Sequence, residues 1–351
     1  MDKKTTYYQE NSMQNVLKLR NVLSTLPKFL KDYFRALDPN TSAKTRISYA
    51  YDLKVFFSYI MENNPIFSNY QMQDISLELL DNLKPVDIEE FLEYLKLYKD
   101  SDGKVHTNNE QGLHRKLASL RSMYSYFYKH ESIQHNPTLV VDMPKLHKKE
   151  IIRLDPDEVA SLLDYVENGS ADLSGIKLKY FEKNKVRNLA IFTLLLGTGI
   201  RVSECVGLDI EDIDFKNDRI KIIRKGGKED FVYFGSEVHD ALWNYDIERK
   251  TIEAREGHEH ALFLSTQRKR LCVQSIENLV KDCAKRVTTL KHITPHKLRS
   301  TYGTSLYRET GDIYLVAEVL GHNDVNTTRK HYAALDEDRK RQAAGAVNLR
   351  K

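Results

Sequence analysis

Apolar positions along this chain follow two rhythms. Through most of it they recur three and four residues apart, the spacing that lines one face of an α-helix. Residues 26–37 are amphipathic in this sense. Ile47, Ala50, Tyr51, Phe57 and Ile60 continue the pattern after Asp38-Pro39-Asn40-Thr41-Ser42, a turn with capping side chains. Ile88, Phe91, Leu92 and Leu95 repeat it behind Pro85 and Asp87. Leu113, Leu117, Leu120, Tyr124 and Phe127 make the strongest stripe. Residues 28–140 are therefore expected to form an all-helical domain. Residues 1–27, polar with scattered leucines, are expected to be a partly ordered arm.

The stretch 141–153 has no period. It contains Pro144-Lys145-Leu146-His147-Lys148-Lys149 and reads as a basic linker. A second domain, 154–335, opens on Asp155-Pro156-Asp157-Glu158, a cap, a proline at the first helical position and an acid three residues after the cap. Residues 167–182 look irregular. Residues 188–196 are apolar enough for a buried helix, which Gly197-Thr198-Gly199 breaks before Ile200-Arg201-Val202-Ser203-Glu204 starts another. The rhythm then changes to two. Residues 219–223 and 231–234 read as strands joined through Lys225-Gly226-Gly227-Lys228, a β-hairpin with a glycine turn. Helices are expected near 236–250 and 273–287, with a strand-like 261–264 between them. In the last third, Thr294-Pro295 starts a helix that Gly311 ends, Leu320-Gly321-His322 closes a shorter one, and Asn323 or Asp324 can cap a third reaching Tyr332. Residues 336–351 remain as a tail. The fold class expected is mainly α with a small antiparallel β-sheet, an N-terminal helical domain followed by an α+β domain.

Composition narrows the function little. The 351 residues are 41% apolar and 30% charged, an ordinary globular balance. A net charge of +4 permits a nucleic-acid partner without arguing for one. Cys205, Cys272 and Cys283, with no signal peptide before them, are expected to be reduced thiols of a cytoplasmic protein. No apolar run reaches the ~20 residues of a membrane span, no Cys/His cluster has metal-ligand spacing, and there is no phosphate-binding glycine loop. No metal or cofactor is expected. Candidate phosphate-tracking residues are Lys44 and Arg46, then Arg115, Lys116 and Arg121 lying mainly off the Leu113 stripe, and Lys145, Lys148 and Lys149 of the linker. Taken alone, such residues are more often a solvated face.

The chemistry lies in an ordered set of polar outliers: Arg201, Lys225, His296, Arg299, His322 and Tyr332. Each alone has an ordinary explanation. Together they are two arginines, a hairpin lysine, two histidines and a tyrosine, with no carboxylate. That suits a phosphodiester gaining charge in its transition state. Arginine offers planar paired donors to phosphate oxygens, fixed positive donors stabilise the phosphorane, and a tyrosine hydroxyl can attack phosphorus to form a covalent intermediate.

On these residues the chain resembles the tyrosine recombinase (phage integrase) family. Thr198-Gly199-Ile200-Arg201-Val202-Ser203-Glu204, Lys225 in Arg224-Lys225-Gly226-Gly227-Lys228, His296-Lys297-Leu298-Arg299, Leu320-Gly321-His322 and Tyr332 match its motifs in order. The helical first domain resembles the family's core-binding domain more loosely. The segment 181–188, the Arg-Lys-Gly-Gly-Lys hairpin and Leu26-Pro27 are similar to the XerS-type single-recombinase chromosome dimer resolution enzymes. Two departures stand out. Ser300 replaces a histidine found in many members, and the interval from His322 to Tyr332 is one residue longer than the commoner one. The resemblance implies attack by Tyr332 on the scissile phosphate, a 3′-phosphotyrosine, and a 5′-hydroxyl protonated by Lys225. Arg201 and Arg299 would hold the non-bridging oxygens, and His296 and His322 would hydrogen-bond the phosphate. It implies a homo-tetramer joining two DNA sites through a Holliday junction, with the 336–351 tail docking on the neighbouring protomer, a DNA clamp made by the two domains, a septal DNA translocase as a candidate partner, and a nucleoid-associated cytoplasmic protein. Three alternatives stay open: a mobile-element integrase with the same chemistry, a type IB topoisomerase, and a non-catalytic DNA-binding protein.

Overall fold

A computed structural model describes residues 7–100, 102–147, 152–171, 173–224, 226–321 and 325. The chain divides into two compact units, Met1–Lys149 and Glu150–Lys351.

The first unit contains α1 (Tyr7–Leu23), α2 (Leu30–Leu37), α3 (Ala43–Asn63), α4 (Leu77–Asp81), α5 (Pro85–Tyr94), β1 (Leu97–Lys99), β2 (Val105–Thr107) and α6 (Glu110–Lys129). Helix α3 begins where Ser42 accepts a hydrogen bond from the Thr45 N–H, and α6 where Asn109 accepts one from Gly112. Leu53, Phe56, Phe57 and Ile60 of α3 bury against Leu117, Leu120, Met123 and Tyr124 of α6 and Phe91 of α5. Two features differ from the sequence expectation. Residues 7–27 are not merely an arm: α1 packs on α3 through Leu19, Val22 and Leu23 on one face, and Leu26, just past its end, is buried in the same core. The unit is also not all-helical. Strands β1 and β2 pair antiparallel, with Tyr98 opposite His106 and their rings stacked 5.1 Å apart. The turn is closed by Asp100, whose carboxylate accepts from the N–H groups of Asp102 and Lys104 and bonds His106 at 2.6 Å. Those bonds hold the Asp100 carboxyl below its usual range.

The second unit runs α7 (Pro156–Asn168), α8 (Gly175–Thr198), α9 (Val202–Gly207), β3 (Ile213–Asp214), β4 (Arg219–Ile223), β5 (Glu229–Tyr233), α10 (Ser236–Thr251), α11 (Val273–Val287), α12 (Pro295–Thr310) and α13 (Ile313–Leu320). Helix α7 starts as its sequence suggests, with the Glu158 carboxylate accepting from the Asp155 N–H at 2.8 Å. The second half of α8 is apolar nearly all round. Ala190, Ile191, Phe192, Leu194 and Leu195 are fully buried, since α7, α10 and α12 all pack on this helix. Its first half explains why residues 167–182 looked irregular: Ile176 and Tyr180 are exposed, so no apolar stripe marks the helix there. The three strands form one antiparallel sheet in the order β3-β4-β5, with Ile220 opposite Val232 and Ile222 opposite Asp230. The strand-like 261–264 makes only isolated bridges, Asp209 with Ala261 and Leu264 with Arg270. No described helix is long and apolar enough to cross a membrane.

Candidate active site

Helix α8 stops at Gly199, which takes the left-handed conformation at φ 62°. A β-carbon there would come within 2.4 Å of Tyr302 and 2.9 Å of Leu320, so both backbone and packing require glycine. The chain turns, and Arg201 becomes the first residue of the corner before α9. Glu204, one turn on, accepts from the Arg201 backbone N–H at 2.7 Å and from its Nη1 at 2.9 Å. This fixes the guanidinium against its own helix start.

Arg299 arrives from another element. Thr294 is extended and Pro295 opens α12, although Thr294 makes no side-chain cap bond. Arg299 lies on the buried face one turn in, at 4% exposure. Its Nη1 donates to the Gly199 carbonyl at 2.6 Å and its Nη2 to the Leu320 carbonyl. Arg201 Nη2 donates to the next carbonyl, Gly321, at 3.2 Å. The two arginines, nearly a hundred residues apart in sequence, thus meet at the carboxyl end of α13. That end carries unpaired carbonyls and the negative end of the helix dipole, so cations are favoured there. Gly321 closes α13 at φ 59°. His296 is exposed on the first turn of α12, one turn before Arg299. Lys225, His322 and Tyr332, with the expected third helix from 323 or 324, lie outside the described residues.

Two charged groups of this centre stand inside the matched motifs but carry no expected role of their own. Glu204, with its side chain 3% exposed, puts a buried carboxylate beside arginines in a set expected to contain none. Arg224 also reaches the end of α13, donating to Val319 O at 2.9 Å. The signal for Glu204 is the Arg-x-x-Glu spacing at a helix start. For Arg224 it is only adjacency to Lys225.

The candidate DNA-contacting residues fare differently. Lys44 and Lys145 are exposed. Arg46 pairs with Asp38, and its side chain is only 12% exposed. Arg115 pairs with the buried Asp52 of α3 while its own side chain is 47% exposed. Lys116 is buried, bonding Asn108 at 3.0 Å and lying 3.6 Å from Asp52. Burial pushes the Asp52 carboxyl up and the Lys116 ammonium down, against their mutual attraction. Arg121 donates to the carbonyls of Thr138 and Val141, tying down the stretch after α6. Lys148 and Lys149 lie outside the described residues.

The second unit thus combines a small antiparallel sheet, a helical core and two arginines fixed at one helix end. The family model described as the phage integrase family matches residues 152–339. Tyrosine recombinase XerC of Caldanaerobacter subterraneus subsp. tengcongensis is 31% identical over 346 residues, covering 95% of this chain and 89% of that protein. Tyrosine recombinase XerS of Streptococcus thermophilus is 32% identical over 354 residues, covering 92% and 96%. XerH site-specific recombinase, crystallised on its palindromic difH substrate, shares the fold at TM-score 0.67 and 21% identity, covering 98% of this chain and 90% of that one. A lambda integrase dimer bound to a core site shares it at TM-score 0.58 and 16% identity, covering 86% and 96%. The chain belongs to the phage integrase family and is a tyrosine recombinase.

Proposed function

We propose that this recombinase cuts and rejoins DNA at a specific site through a 3′-phosphotyrosine intermediate on Tyr332, and that its role is chromosome dimer resolution. The observation that carries the chemistry is the convergence of Arg201 and Arg299 on the Leu320–Gly321 carbonyls. Those bonds orient both guanidinium planes before any substrate arrives, the condition for stabilising a transition state rather than only binding a ground state. The described contacts of Arg201 engage only Nη1 and Nη2 in one bond each, so its plane is fixed without exhausting its donors.

In the proposed reaction the Tyr332 hydroxyl gives up its proton, with His296 as the acceptor, and its oxygen forms a bond to phosphorus. The bond from phosphorus to the 5′ oxygen breaks, and Lys225 gives that oxygen its proton. Arg201 and Arg299 hold the non-bridging oxygens. His296, exposed at the start of α12, and His322 hydrogen-bond the phosphate. Fixed positive charge from the chain itself stabilises the transition state. Lys44, Arg115, Lys145, Lys148 and Lys149 are the residues offered to the DNA backbone. Arg115 is kept because its side chain is half exposed despite its pair with Asp52, whereas Arg46 and Lys116 are largely buried in internal pairs and Arg121 is held by two backbone carbonyls. A homo-tetramer on two sites completes the exchange through a Holliday junction, with a septal DNA translocase as candidate activator.

Similarity to proteins named XerS and XerC supports the chromosomal role. The other reading, a mobile-element integrase, shares every residue above and is separated by genomic context. The chemistry is tested with a suicide substrate carrying the host's candidate recombination site. Wild-type protein should form a covalent adduct. Tyr332→Phe, which keeps the ring and removes only the hydroxyl, should lose the adduct and keep DNA binding. A normal adduct yield from Tyr332→Phe removes Tyr332 as the nucleophile. Relaxation of supercoils without a specific site would favour the topoisomerase alternative.

A further inference from the structure

Arg224 follows the last residue of β4 and precedes Lys225 in the chain, and its side chain turns away from solvent, 9% exposed. Its Nε donates to Asp230 of β5 at 3.0 Å, and its Nη2 donates to Val319 O at 2.9 Å. Its Nη1 lies 3.5 Å from both Leu320 O and the Glu204 carboxylate. Gly321 packs on the same guanidinium: a β-carbon at Gly321 would come within 2.9 Å of Arg224 Cζ. Arg224 is thus wedged between the hairpin, α9 and the end of α13.

The electrostatics of this corner need it. Glu204 is a buried carboxylate facing Arg201 on one oxygen and Arg224 on the other. Removing one partner of a buried ionic group leaves uncompensated charge, which the surroundings must answer. Three consecutive carbonyls at the end of α13 are likewise shared out. Val319 is taken by Arg224, Leu320 by Arg299 with Arg224 at the edge of reach, and Gly321 by Arg201. Without Arg224, Glu204 would be left to Arg201 alone, and the vacated carbonyl of Val319 would draw on the arginines that hold its two neighbours.

We propose that Arg224 is a positioning residue for the phosphate-binding arginines. By neutralising half of Glu204 and holding the end of α13, it keeps Arg201 and Arg299 aimed at the phosphate instead of being recruited inward. This rests on the reading of those two arginines as phosphate ligands. Arg224 does not touch DNA in this scheme, and its effect falls on the rate of cleavage rather than on affinity.

The experiment is single-turnover cleavage by the full-length protein, with Arg224→Gln and Arg224→Lys, on three substrates: a normal scissile phosphodiester, one with a 5′-bridging sulfur, and one whose scissile phosphate is a methylphosphonate. The sulfur substrate has a leaving group that needs no proton. The methylphosphonate lacks one charged non-bridging oxygen and so depends less on aimed arginines. On normal DNA, Arg224→Gln is expected to cleave about 10- to 100-fold more slowly, the usual cost of losing a supporting residue, with site affinity unchanged. Arg224→Lys, which keeps charge but not the fork, should fall between. The deficit should shrink on the methylphosphonate and persist on the bridging sulfur. Wild-type cleavage by Arg224→Gln overturns the proposal. So does rescue by the bridging sulfur, which would mean that Arg224 places Lys225. An equal deficit on all three substrates, or loss of the folded state in both variants, overturns it too, since the residue would then only hold the fold. If wild-type protein forms no adduct on any substrate, it is the recombinase chemistry itself that fails, a distinct result.

Discussion

Arg201 and Arg299 are positioned by what their guanidinium planes touch, and that separates their charge from their geometry. Arg299 bridges the Gly199 and Leu320 carbonyls from one planar group, and Arg201 spans Glu204 and Gly321. A lysine ammonium keeps the charge and cannot make either bridge. Arg201→Lys and Arg299→Lys should therefore bind the site normally and cleave it about 10²- to 10³-fold more slowly, the cost of losing one pre-organised donor. Single-turnover cleavage on a suicide substrate measures this, and a wild-type rate from either variant contradicts it. Both arginines were legible in the sequence because each stands at local punctuation, one after a glycine break and one after a Thr-Pro start. Glu204 and Arg224 were not. Glu204 does act as the acid at a helix start, which is all its neighbourhood shows, whereas its second partner lies twenty residues on. Lys116 failed the same way in reverse. It looked like a basic helix-surface residue, but its ammonium turns to Asn108 and the buried Asp52 of another helix. Spacing along one helix does not report which long side chains find a partner on the next.

At the scale of elements, a single added atom is felt directly at the close of α13. Gly321 has φ 59° and its missing β-carbon faces Arg224 at 2.9 Å. Gly257 offers a control, with φ 80° and nothing within 4 Å of its β-position. Gly257→Ala should cost only left-handed strain, about 1–2 kcal/mol in denaturant unfolding, with cleavage unaffected. Gly321→Ala should cost that strain plus a displacement of Arg224, and cleavage should fall well beyond what lost stability explains. Equal cleavage by the two variants would show that the Gly321–Arg224 contact does not reach the chemistry. The sequence made α13's end visible through Leu320-Gly321, and the main helices of both units through strong stripes. It hid α1, whose apolar face is diluted among polar residues, and the first turns of α8, which are solvated. It hid β1 and β2 because three-residue strands with Leu97 and Val105 exposed leave no alternation long enough to read. Their pairing depends instead on Asp100 gathering the turn.

At the scale of the whole molecule, the proposed tetramer would need its active sites to act in turn. Residues 336–351 follow Tyr332, the proposed nucleophile, and lie outside the described residues. They are charged as far as Arg341 and then carry Ala343, Ala344, Ala346, Val347 and Leu349. A terminal segment of this kind gains little from ordering on its own protomer. In a ring of identical subunits it can instead dock head-to-tail on a neighbour, and such heterologous contacts close when the rotation permits. This would couple one protomer's nucleophile to the next protomer's state. Deleting residues 343–351 should then leave binding to a single site nearly intact, because no DNA-contacting candidate is removed. Synapsis of two sites and recombination between them should both weaken. Mass photometry on one-site and two-site DNA measures assembly, and a plasmid carrying two sites measures exchange. If the shortened protein assembles tetramers and recombines at the full rate, the tail is an end without a coupling role, and communication between active sites must run through the two folded units alone.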